Sequence, residues 1–133
     1  MATFTVENQW GGDDAPWHPG GTWTLGNRTD QTIINIKASQ NSEGQLFGTM
    51  QYSGEGPIGF KATNHGDSVY SVENQWGGDD APWHPAGDWT IGCRPDQAVV
   101  GLDIKATEGQ YELTGNMTYE GEGPIGFRGD KID

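Results

Sequence analysis

Val6-Glu7-Asn8-Gln9-Trp10-Gly11-Gly12-Asp13-Asp14-Ala15-Pro16-Trp17-His18-Pro19 recurs residue for residue at Val72 to Pro85. A duplication this unusual in a chain of 133 residues makes the repeat the first thing to read, with halves at 1–67 and 68–133. The segment divides into parts. Glu7-Asn8-Gln9-Trp10 ends a strand, Gly11-Gly12 turns or approaches something closely, and Asp13 to Pro19 forms a polar loop that Trp17 pins, as Trp83 does in the second copy. A large ring beside two glycines suits a stacking-and-backbone binding site. It also suits a tight barrel corner, and the motif by itself leaves both open.

Half of such a chain is marginal as an independent unit, so the repeats are expected to share one core in a single domain. Hydrophobic residues make up only 32%, while 22 glycines and 6 tryptophans point to an all-β chain with many turns. A formal charge of −12 with seven Lys and Arg excludes nucleic acid and anionic membrane surfaces as partners, because both need clustered cations. Neutral ligands such as sugars are unaffected. Cys93 is the single cysteine and stands where the first repeat has Asn27, so no internal disulfide is expected. The start, Met1-Ala2-Thr3-Phe4-Thr5-Val6, has neither a basic nor an apolar leader region, and no run reaches transmembrane length. A soluble cytoplasmic protein is the expectation, with release by a non-classical route if it acts outside the cell.

Alternation and punctuation predict five strands per repeat: 3–8, 22–25, 32–39, 45–52 and 58–63, then 68–74, 88–91, 98–107, 110–119 and 125–129. Most counterparts lie 66 apart, but Glu55 and Glu122 are 67 apart. The third strand accounts for this if Thr32 to Lys37 aligns with Ala98 to Lys105, a two-residue insertion offset by one deletion in the next turn. An even insertion keeps Ile34 and Ile36 on the same face as Val100, Leu102 and Ile104. Open edges on each half are a hazard, and a ten-stranded antiparallel barrel built by both repeats removes them.

Three polar patches also occur twice: Gln-Trp-Gly-Gly, Gly-x-Arg-x-Asp-Gln (26–31 and 92–97), and Gly-Glu-Gly-Pro-Ile-Gly-Phe (54–60 and 121–127). Core packing explains repeated apolar positions; repeated polar loops point to a site, with turn chemistry and a structural Arg–Glu pair as the alternative. Trp23 and Trp89 read as core, and Trp10 and Trp76 as stacking platforms. His18 and His84 lack the partners that a metal would need, and Asp13-Asp14 and Asp79-Asp80 lack a calcium-loop spacing. No metal, cofactor or catalytic constellation is therefore expected. Two rival readings stay open: a calcium-binding β-repeat module, and a glycoside hydrolase in which Glu55 and Glu122 meet as a carboxylate pair.

The doubled Asn-Gln-Trp-Gly-Gly and Gly-Glu-Gly-Pro-Ile-Gly-Phe segments resemble the Oscillatoria agardhii agglutinin homologue family of lectins over essentially the whole chain. The resemblance implies a compact ten-stranded barrel, no enzymatic activity, and two sites for the branched α-mannose core of high-mannose N-glycans. It implies agglutination and antiviral binding to glycoproteins, including viral envelope glycoproteins; a closed barrel can act as a monomer, which is the expectation here. Carried onto this sequence, one site comprises Trp10, Gly11, Gly12, Arg94, Glu122 and Gly123. The other comprises Trp76, Gly77, Gly78, Arg28, Glu55 and Gly56. Asp13-Asp14, Asp79-Asp80, Cys93 and Pro95 depart from the family pattern nearby.

Overall fold

The computed structural model describes residues 2–107 and 112–132. Its strands follow the period-two pattern: β1 (Ala2–Gln9), β2 (Trp17–Leu25), β3 (Ile33–Gln40), β4 (Leu46–Tyr52), β5 (Ile58–Asn64), β6 (Val69–Gln75), β7 (Trp83–Thr90), β8 (Val99–Ala106), β9 (Leu113–Tyr119) and β10 (Ile125–Lys131). The described residues contain no helix. The expected start of the ninth strand at Gln110 lies outside them.

All ten strands close into one antiparallel barrel in the order β1-β10-β9-β8-β3-β4-β5-β6-β7-β2. Each repeat therefore splits. Its first two strands join the other repeat's last three, so neither half encloses a core alone. Inward residues of both halves meet in one cluster, with Trp23, Trp89, Tyr52, Tyr70, Tyr119 and Phe4 among the largest fully buried side chains. An approximate two-fold axis relates the halves. It crosses the barrel at Thr24↔Thr90 on one side and Lys37↔Asp103 on the other, both pairs joining equivalent positions. The β2–β7 seam holds that one residue pair, reinforced by Thr90 N donating to Thr24 Oγ1 at 2.7 Å.

Two buried amides lock the strands that carry the motif. Asn8 Nδ2 donates to Gly126 O at 3.0 Å, and Asn74 Nδ2 to Gly59 O at 3.0 Å. Each Asn is nearly inaccessible, so leaving its amide unpaired would cost about 1–3 kcal/mol. This explains the Asn of the repeated segment.

Three expectations need correction. First, β2 and β7 begin at Trp17 and Trp83, inside the stretch read as loop. A proline fits here because β2 has a second neighbour only at Thr24, so Pro19 occupies an edge-like position. Second, β3 and β8 contain no relative insertion. Both are eight residues with the same burial pattern and keep the 66 spacing. The step to 67 arises in the β3–β4 and β8–β9 connections, since Leu46 corresponds to Leu113. Third, Ile33 and Ile36 face the core rather than Ile34 and Ile36. A bulge between Ile33 and Asn35, matched between Val99 and Gly101, breaks the alternation.

Candidate functional site

The register of β1 and β10 sets up one site. Gln9↔Gly126 brings the end of β1 beside the start of β10, so Trp10 stands next to the turn between β9 and β10. That turn carries Glu122 and Gly123. The loop after β7, carrying Arg94, is tied to it by Glu120 N donating to Ala98 O at 2.9 Å. The result is a cleft of about 500 Å³ lined by Trp10, Arg94, Glu122, Gly123, Pro124 and Ile125. The pairing Gln75↔Gly59 does the same at the other site. There a cleft of about 360 Å³ is lined by Arg28, Glu55, Gly56, Pro57, Ile58 and Trp76. In both, the indole comes from one repeat and the guanidinium and carboxylate from the other.

Gly11 and Gly12 follow Trp10 at the rim without lining the first cleft. Gly77 and Gly78 line an adjoining cleft that shares Trp76, Pro57 and Ile58 with the second. All four adopt φ between 95° and 112°, a region costly for any residue with a Cβ. At Gly56 and Gly123 a Cβ would meet nothing within 4 Å. Backbone there is open to a ligand's approach.

The charged groups are held by a three-membered network. Arg28 Nη1 donates to Glu55 Oε1 at 2.8 Å and to Gln31 Oε1 at 2.8 Å, while Gln31 Nε2 donates to Glu55 Oε2 at 3.0 Å. The other end repeats it: Arg94 Nη1 lies 3.0 Å from both Glu122 oxygens and 2.9 Å from Gln97 Oε1, and Gln97 Nε2 donates to Glu122 Oε2 at 3.1 Å. Each guanidinium also lies over a tyrosine ring, at 4.2 Å for Arg28 on Tyr52 and 4.1 Å for Arg94 on Tyr119. Burial raises the pKa of both tyrosines, so the rings stay neutral platforms for the cation. Hydrogen bonds from Arg28 and then Gln31 hold Glu55 below the ordinary carboxylate range, and those from Gln97 and then Arg94 do so for Glu122. An exposed ion pair contributes little to stability. Held from several sides, it instead presents fixed donors and acceptors.

Two contributors escaped the sequence reading. His18 and His84, read only as part of the polar loop, lie flat beneath the indoles of Trp10 and Trp76, with centroids 4.2 Å apart and interplanar angles of 15° and 17°. The indoles, about half exposed, are thus fixed from behind and open in front. Gln9 Nε2 donates to Asp13 O and Ala15 O at 3.0 and 2.8 Å, and Gln75 Nε2 does so to Asp79 O and Ala81 O at 3.0 and 2.7 Å. The Gln of each repeated segment therefore shapes the loop after the tryptophan. Its repetition in the motif was the available signal. Trp17 and Trp83 lie over Gly126 and Gly59, where a Cβ would come within 3.4 and 3.2 Å of the ring. Among the described residues no three His, Cys, Asp or Glu gather as a metal site would require.

The family model described as "OAA-family lectin sugar binding domain" matches the chain twice, at residues 2–65 and 68–132. The chain belongs to the OAA-family lectins. It is similar to lectin OAA of Planktothrix agardhii, 54% identical over 98% of this chain and 100% of that lectin. It is also similar to the myxobacterial hemagglutinin of Myxococcus xanthus, 56% identical over 95% of this chain and 48% of that protein, so the chain spans about half of that relative. The crystal structure of that hemagglutinin, in complex with α3,α6-mannopentaose, matches with a TM-score of 0.92 at 54% identity, over 98% of this chain and 50% of the other. A glycan-bound lectin of Pseudomonas taiwanensis matches with a TM-score of 0.92 at 48% identity over 100% of both chains.

Proposed function

We propose that this OAA-family chain is a two-site mannose-binding lectin that takes the branched α-mannose core of high-mannose N-glycans and performs no catalysis. The observation that carries the reading is the pairing, in each cleft, of a half-exposed indole from one repeat with an Arg–Glu–Gln network from the other. It is supported by the mannopentaose complex of the Myxococcus hemagglutinin.

A pyranose has apolar C–H faces and a rim of hydroxyls. The rigid indole covers a face with little loss of side-chain entropy. The guanidinium donates to ring hydroxyls and the carboxylate accepts from them, both charge-assisted. Gly56 and Gly123 leave room for a sugar to reach the backbone. Each polar contact nets about 0.5–3 kcal/mol against water, so one open cleft is modest and two clefts gain by avidity. Crosslinking of high-mannose glycoproteins, viral envelope glycoproteins among them, follows for a monomer with two sites. Hydrolysis has less support: Glu55 and Glu122 line separate clefts, one carboxylate in each, whereas a glycosidase places two on one bond.

Titration calorimetry with α3,α6-mannopentaose tests the proposal. The parent should take two equivalents, Arg28→Ala and Arg94→Ala one each, and the double variant none, with the melting temperature unchanged. A double variant that binds like the parent overturns the site assignment.

A further inference from the structure

β4 breaks the symmetry of the two ends. Leu46, Gly48 and Met50 match Leu113, Gly115 and Met117, but Phe47 matches Thr114. Phe47 points outward and is 45% exposed, close to the values for Trp10 and Trp76. Its ring packs at 5.8 Å and 55° against Trp83, which also has the Lys61 ammonium 4.5 Å from its ring centroid. Trp17, the equivalent of Trp83, carries the matching cation, the Arg128 guanidinium at 4.2 Å, and has Thr114 where Trp83 has Phe47 nearby. Apart from this contact with Trp83, the Phe47 ring leaves a large apolar area exposed where the other repeat has Thr114.

What surrounds it is a cleft of about 470 Å³ that runs into the Arg28–Glu55 cleft, the two sharing Pro57, Ile58 and Trp76. The aromatic rings of Trp76, Phe47 and Trp83 line this trough together with Thr49, Gly77 and Gly78. That combination of apolar face and polar rim matches a second hexose continuing from the first, not an apolar ligand. We infer that Phe47 and Trp83 form an additional hexose subsite at the Trp76 end. That end then reads one more residue of a mannose arm than the Trp10 end does.

The subsite rests on the mannose-binding reading above, and the two fail separately. In an Arg94→Ala background, which leaves the Trp76 end, affinities are measured for α3,α6-mannopentaose and for a nine-mannose glycan. Phe47→Thr should lower the preference for the longer glycan by about three- to tenfold, the size of one aromatic contact. Phe47→Trp should restore it. In an Arg28→Ala background, Thr114→Phe should raise the same preference at the other end. On adding the nine-mannose glycan, the Phe47 ring resonances should shift in the NMR spectrum. Binding of both glycans with an unchanged preference and unshifted Phe47 resonances overturns the subsite and leaves the lectin reading standing. No binding of either glycan by the parent overturns the lectin reading and the subsite with it.

Discussion

The Trp10 end and the Trp76 end use the same fourteen-residue segment, the same histidine behind the indole and the same Arg–Glu–Gln triangle. They differ one step outward. Both tyrosine hydroxyls accept from a loop amide, Tyr52 from Asn27 N at 3.1 Å and Tyr119 from Cys93 N at 3.0 Å, but Tyr52 also donates to Asn27 Oδ1 at 3.1 Å where Tyr119 has the Cys93 sulfur, 3.6 Å away. Phe47 flanks one end and Thr114 stands at its counterpart near the other. Under the proposed reading, the shared part meets what the two ligands have in common. The unshared part sits where a second sugar or a supporting tyrosine would register it, so duplication left recognition fixed and its surroundings free to diverge.

Removing the platform is the largest perturbation. Trp10→Ala and Trp76→Ala should each eliminate one binding equivalent in a mannopentaose titration, with at least about a tenfold loss at the altered end. Two equivalents surviving in either variant would break the equivalence of the ends. A smaller effect sharpens the difference: Cys93→Asn gives Tyr119 the acceptor that Tyr52 already has. Chemical denaturation should then show a gain of about 0.5–1.5 kcal/mol, and the matching Asn27→Cys change a comparable loss. The smallest effect concerns the carboxylates. Both are depressed in the fold, Glu55 chiefly by Arg28 and Glu122 chiefly by Gln97. Their stabilisation is therefore present above the unfolded-state value, about 4.3, and fades as pH falls through the lower folded value. The stability gap between parent and Glu55→Gln, followed from pH 7 to pH 3, should stay level down to the ordinary glutamate range, begin to shrink there, and close once the lower folded value is passed. Glu122→Gln should follow the same course, and a gap that closes well above that range would refute the ion-pair account at that end.

Much of this architecture was legible because period-two strands and doubled motifs leave direct traces. Phe4 and Val6, or Met50 and Tyr52, alternate with polar neighbours and are buried as the pattern requires. Closure into one barrel followed from the need to hide edges. What the letters did not reveal depends on register. The bulges at Ile34 and Val100 flip a face without changing composition, so an insertion was inferred where the strands align without one. His-Pro after a tryptophan reads as loop, and only the unpaired flank of β2 shows why a strand tolerates it. The histidines behind the indoles carry no spacing signal, since stacking across a hairpin leaves no periodic mark. Phe47 is a single outward ring, and its meaning appears only when the adjoining clefts are seen to join.

The exchange of strands between repeats has a kinetic consequence. Asn8 reaches Gly126 across 118 positions, and the Trp10 cleft draws on loops made early and late in synthesis. Pairings this distant close slowly, and the Trp10 cleft is incomplete until β10 has docked on β1, whereas the Trp76 cleft is lined wholly by residues from 28 to 76. Under the proposed reading, a chain released short of its final strand would lack the Trp10 site while keeping every lining residue of the Trp76 site, and a bound mannose touching both repeats would draw the closed form together by mass action.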